Sequence, residues 1–111
     1  MPDMVYILEN EDGEYVGIFN FRHCLNDFLR NGPGHIGYGI GPKYRGRGYA
    51  TEGLRLILQI AEKVVPEDEI FLSVHKDNPA SLRVQMKNGA YIHGETEQEY
   101  LTRIPRSGGS E

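Results

Sequence analysis

Apolar and polar positions along this chain change period several times, and each change marks an element. Met4 to Glu9 (MVYILE) and Tyr15 to Arg22 (YVGIFNFR) read as strands, with turn residues NEDGE between them, so they predict a hairpin. Cys24 to Arg30 carries Leu25, Phe28 and Leu29 at one-turn spacing, which predicts a short helix or ordered loop ended by Gly32-Pro33-Gly34. Ile36 to Ile40 (IGYGI) is strand-like but glycine-rich, as where another backbone or a ligand must approach closely. From Tyr49 to Val65, Leu54, Ile57, Leu58, Ala61 and Val65 form a helical stripe closed by Pro66. Glu69 to His75 (EIFLSVH) alternates as a strand, with Ile70, Leu72 and Val74 on one side. Pro79 and Gly89 bound a second helix, and Tyr91 to His93 with Glu99 to Ile104 form a last strand pair.

The order β-β-(α)-β-α-β-α-β-β predicts an α/β (α+β) fold with a mixed, mostly antiparallel sheet and a right-handed β-α-β crossover at its centre. No repeat or long linker divides the chain, so residues 1–104 are expected to form one domain and 105–111 (PRSGGSE) a disordered tail. The net charge of −4 argues against general nucleic-acid binding. Cys24 is the sole cysteine, which excludes an internal disulfide and points to a reducing, cytoplasmic setting. There is no apolar stretch of membrane-spanning length and no signal-peptide pattern, so no membrane association is expected. The histidines lack metal-ligand spacing, so no metal is expected.

Glycine changes the picture. It makes up 14 of 111 residues, roughly double the average of about 7%, and half of them fall between Gly32 and Gly48. Gly32-Pro33-Gly34-His35-Ile36-Gly37 satisfies G-x-G-x-x-G, but a strand follows where the dinucleotide fingerprint needs a helix. Gly41 to Gly48 (GPKYRGRG) approaches the nucleotide-binding G-x-x-x-x-G-K-[ST], yet Arg47 and Gly48 stand where lysine and hydroxyl are required. A third reading fits better. Backbone N–H groups of an Arg-Gly-Arg-Gly turn that opens a helix form a cradle for a pyrophosphate. Gly46 and Gly48 let phosphates approach, and Lys43, Arg45 and Arg47 add charge. The plainer alternative is a turn with a solvated basic rim.

KYRGRGYATEG resembles the cofactor-binding segment of the GNAT superfamily of acyl-CoA N-acyltransferases, commonly Q/R-x-x-G-x-G/A, with Lys43 in the first position. Asn78-Pro79-Ala80-Ser81 and Lys87-Asn88-Gly89 also look familial, so the likeness covers about residues 35 to 92. The lead-in HIGYGIGP is similar to the branch that includes ribosomal-protein acetyltransferases. The resemblance implies acetyl-CoA as co-substrate, a small-molecule or peptide primary amine as acceptor, and a splayed pair of central strands. It also implies that backbone groups of Tyr38, Gly39 and Ile40 bond the pantetheine arm. The phosphates would then sit on the turn and helix start from Arg45 to Ala50, which includes Tyr49.

Two departures follow from the same comparison. Family members normally begin with a strand and one or two helices that build the acceptor pocket, so the acceptor side is expected to be short or missing here. The proton-donating tyrosine of many members matches Gln85. Asn78 would bond the pantetheine arm in the familial reading, or serve only as a helix N-cap. Ser81 lies near the cofactor sulfur in the resembling branch, or acts as a local cap. His35, with an ordinary pKa near neutrality, is a candidate base for the attacking amine, or only structural. Two functions stay open: an N-acetyltransferase working by direct attack, and an acyl-CoA-binding module without catalysis. Met4 to Glu9 reads as an exposed sheet edge, which favours a homodimer.

Overall fold

The computed structural model describes residues 3–23, 25–30 and 32–105. Cys24 and the tail residues 106–111 lie outside the described residues. The elements are β1 (Asp3–Glu9), β2 (Tyr15–Arg22), α1 (Asp27–Arg30), β3 (Ile36–Ile40), α2 (Tyr49–Val64), β4 (Glu69–His75), α3 (Pro79–Lys87), β5 (Tyr91–Glu95) and β6 (Glu99–Pro105). One turn of 3-10 helix, Pro42–Tyr44, separates β3 from α2. The helical part of the 24–30 segment starts at Asp27 because Asn26 caps it: its Oδ1 accepts from the Leu29 N–H at 2.9 Å. Pro105 continues β6, opposite Glu69, at the strand's end where a missing N–H costs little.

The expected mixed sheet is realised as two antiparallel halves of three strands, in the orders β1-β2-β3 and β4-β6-β5. The first hairpin pairs Asp3 with Arg22 through Glu9 with Tyr15, and this register places Tyr6 opposite Phe19. Phe19, Phe21 and Ile36 meet Leu54, Ile57, Leu58 and Ala61 of α2, while Ile70, Leu72 and Ile104 close the core from the other half. Each of the Phe, Leu and Ile side chains contributes roughly 1.5–3 kcal/mol on burial. Gly53 is the contact point of α2 with β2, since a Cβ there would fall 2.5 Å from the Phe19 ring. The apolar stripe read from the sequence is therefore the face that packs.

Backbone hydrogen bonding between the two halves is found, among the described residues, just before β3. The His35 N–H donates to the Phe71 carbonyl at 2.7 Å, and the Phe71 N–H donates to His35 Nδ1 at 2.9 Å. Gly34 permits this approach: it has φ +74°, and a Cβ would stand 2.3 Å from the Phe71 carbonyl oxygen. Beyond this clamp no ladder joins β3 to β4 among the described residues. The strands splay, and a gap opens at their C-terminal ends.

β1 is the outer strand of its half. Val5 and Ile7 on it, with Ile18 of β2, present an exposed apolar face. No helix among the described residues is long and apolar enough to cross a membrane.

Candidate active site

A cavity of about 500 Å³ occupies the gap. Its walls are Tyr38, Gly39 and Ile40 at the end of β3, the turn from Tyr44 to the start of α2, and one face of α3. Because the ends of β3 and of the β4–α3 connection both reach it, the two strands run in the same direction toward it. Among the described residues β3 pairs with β2 on one side only, so its other edge offers backbone N–H and C=O groups to the cavity.

The glycine turn forms the first wall. Gly48 is the N-cap of α2 with φ 84°, and Gly46 has φ 80°. A Cβ on either would meet nothing within 4 Å, so both glycines are needed for backbone conformation and face open space. No side chain among the described residues caps α2. The first intrahelical bond runs from Glu52 N to the Gly48 carbonyl at 3.1 Å, which leaves the N–H groups of Tyr49, Ala50 and Thr51 available to an anion. Arg45 lines the cavity while its Nε donates to the Ile40 carbonyl at 3.0 Å, tying the turn to β3. Lys43 and Arg47 do not line it; the Lys43 ammonium lies 5.2 Å over the Tyr44 ring.

α3 supplies cations that the sequence reading missed. Ala80, Arg83, Val84 and Lys87 line the cavity, and their spacing is that of one helical face. The stripe was legible as i, i+3, i+4, i+7 from Ala80, but nothing in the sequence said which face turned toward the glycine turn. Tyr44 and Thr51 also line the cavity and were not anticipated. Asn88 fixes the arrangement: its Nδ2 donates to the Thr51 carbonyl at 3.2 Å and to the Val84 carbonyl at 3.1 Å.

Asn78 and Ser81 both line the cavity. Asn78 is the N-cap of α3, its Oδ1 accepting from Ser81 N at 3.1 Å, which keeps Nδ2 as a donor. Ser81 is not itself the cap. Its Oγ lies 2.8 Å from the Tyr38 hydroxyl, and the Tyr38 ring stacks on Phe19 at 5.3 Å. Burial pushes the Tyr38 phenol above its ordinary pKa of 10, against the hydrogen bonds of Ser81 and Gln85.

Gln85, in the donor tyrosine's position, is buried away from the cavity. Its Nε2 donates to the Ser73 carbonyl at 3.1 Å and its Oε1 accepts from Thr102 Oγ1 at 2.6 Å. His35 is likewise away from the cavity and fully buried. Because Nδ1 accepts a backbone N–H, the ring is neutral, and Nε2 donates to Glu67 Oε1 at 3.1 Å. Burial holds His35 below its ordinary 6.5, outweighing the opposing pull of Glu67. The expectation that it takes a proton from an acceptor amine does not fit this placement; the ring pins the two halves together.

Residues 2–91 match the family model described as the acetyltransferase (GNAT) domain. The chain belongs to the GNAT acetyltransferase family. No curated relative matches it in sequence. Among solved structures, the fold is similar to spermidine N-acetyltransferase from Vibrio cholerae in complex with CoA and spermine. There the TM-score is 0.74 at 17% identity, covering 95% of this chain and 66% of that one. It is also similar to ribosomal-protein-S5-alanine acetyltransferase from Vibrio fischeri, with TM-score 0.77 at 16% identity, covering 95% of this chain and 62% of that one. The chain thus spans about two thirds of the length of these structures. GNAT acetyltransferases use acetyl-CoA. The residues present fit that molecule: uncapped N–H groups beside Arg45, Arg83 and Lys87 suit phosphates, and Ile40, Ala80 and Val84 suit an apolar arm.

Proposed function

We propose that this chain is an N-acetyltransferase that moves an acetyl group from acetyl-CoA to a primary amine by direct attack. One observation carries the reading: a single cavity joins an uncapped helix start, three cations and the unpaired edge of β3. The phosphates bind Tyr49, Ala50 and Thr51 backbone N–H groups with Arg45, Arg83 and Lys87. The pantetheine arm lies along Tyr38 to Ile40, with Asn78 Nδ2 as a further donor. Lys43 and Arg47 serve as a more distant basic rim.

No cysteine or histidine lines the cavity among the described residues, and the partner of Ser81 is a phenol, not a base. That environment gives no activated nucleophile and favours attack by the amine itself. The free amine nitrogen bonds to the thioester carbonyl carbon, and β3 backbone N–H groups hold the developing oxyanion. The carbon–sulfur bond then breaks. A polyamine or a peptide N-terminus is the acceptor class, in line with the compounds named for the similar structures. Residues 1–104 work as one unit, and the β1 edge pairs two copies.

The test is thiol release from acetyl-CoA with spermidine, spermine and an N-terminal alanine peptide, alongside calorimetry of acetyl-CoA. Turnover supports the enzyme. Binding without turnover supports an acyl-CoA-binding module instead, and absence of binding overturns both.

A further inference from the structure

Five side-chain hydroxyls line the cavity: Tyr38, Tyr44, Tyr49, Thr51 and Ser81. Tyr44, Tyr49 and Thr51 belong to the turn and first turn of α2, at the phosphate end. Tyr38 and Ser81 stand at the other end, where a strand residue reaches across the split to a helix. The Tyr38 hydroxyl lies 2.8 Å from Ser81 Oγ and 3.3 Å from the Ser81 carbonyl, and stacking on Phe19 holds the ring in place. No carboxylate, histidine or cysteine lines the cavity among the described residues, and Gln85 is turned away from it. A departing thiolate therefore meets one pair of hydroxyls as its source of a proton.

The two hydroxyls differ in acidity. An alcohol is a much weaker acid than a phenol, whose ordinary pKa of about 10 lies near the thiol's of about 8.5. A phenol is protonated at neutral pH at its ordinary pKa, and burial moves that of Tyr38 further up. We propose, resting on the acetyltransferase reading above, that Tyr38 is the proton source for the departing thiolate, delivered through Ser81 Oγ. When the carbon–sulfur bond breaks, its electron pair stays on sulfur. The Ser81 Oγ proton passes to sulfur, and the Tyr38 hydroxyl proton passes to Ser81 Oγ. The phenolate regains a proton from water, and the acylated nitrogen loses its extra proton to solvent, so the cycle balances. Tyr38 takes over in this chain, from the strand side, the role that the Gln85 position cannot perform.

The test compares the full chain with Tyr38→Phe, Ser81→Ala and the double variant. The readouts are acetyl-CoA binding by calorimetry and thiol release with spermidine across pH. Each single variant should bind acetyl-CoA as wild type does and lose on the order of 10²-fold in kcat. The double variant should lose no more than either single one, because both act in one relay. Wild-type kcat should also fall on the alkaline side as the phenol ionises, and both single variants should lack that limb. A wild-type rate in Tyr38→Phe, multiplied losses in the double variant, or survival of the alkaline limb in either single variant overturns the relay. Should Tyr38→Phe fail to bind acetyl-CoA, the limb in Ser81→Ala decides. A wild-type chain that binds acetyl-CoA but releases no thiol with any amine overturns the acetyltransferase reading itself.

Discussion

Replacing Gly34 by alanine tests how much the backbone clamp below the cavity contributes to holding the two halves together. The residue has φ +74°, a conformation that costs an L-residue roughly 1–2 kcal/mol. The added Cβ would also lie 2.3 Å from the Phe71 carbonyl oxygen, 2.6 Å from its carbon and 2.9 Å from Leu72 N. These atoms are backbone and cannot swing aside. β4 would have to retreat by about 1 Å to reach ordinary contact. The two clamp bonds, at 2.7 and 2.9 Å, would then pass out of hydrogen-bonding range. His35 Nδ1 and the Phe71 N–H would be left buried without partners, at about 1–3 kcal/mol each. The expected loss is about 3–8 kcal/mol, a large share of the 5–15 kcal/mol typical of a whole domain. Gly46→Ala is the control: φ is +80° but nothing lies within 4 Å of the Cβ, so only the backbone cost of roughly 1–2 kcal/mol applies. Urea unfolding followed by circular dichroism gives both values on one scale. Equal destabilisation in the two variants would refute the clamp.

The other expectations are shorter. Arg83→Gln and Lys87→Gln should each weaken acetyl-CoA binding in calorimetry by about tenfold, as loss of a charge-assisted hydrogen bond worth roughly 1.5 kcal/mol would do. Arg47→Gln, off the cavity, should change it little, and the reverse order would relocate the phosphates. Because His35 is held below 6.5 when folded, the unfolded chain binds more protons beneath that pH. Stability should therefore be flat above pH 6.5 and fall as pH drops below it, and His35→Gln should remove that slope in urea titrations. Sedimentation equilibrium should show a dimer that Val5→Lys on β1 dissociates; a wild-type monomer at high concentration rules out edge pairing.

Much of the architecture could be read from the chain because it rests on local rules. β2, β3 and β4 have the predicted bounds, since alternation and turn residues act over a few positions. The glycine turn was legible for a similar reason: positive φ at Gly46 and Gly48 and a helix opening at Tyr49 are properties of consecutive residues. Asn78 as cap followed from Pro79 beside it. What the chain could not reveal depends on residues far apart in sequence. Arg83 and Lys87 had the spacing of a helical face, but only the docking of α3 through Asn88 onto Thr51 turned that face toward the turn. Tyr38 and Ser81 are 43 positions apart, and their hydrogen bond exists because β3 and α3 border the same split. His35 had the pKa of a base on paper, whereas 36 positions away Phe71 supplies the N–H that makes it a buried pin. The division into two halves arises in the same way, since local sequence encodes strands while packing decides where a ladder stops.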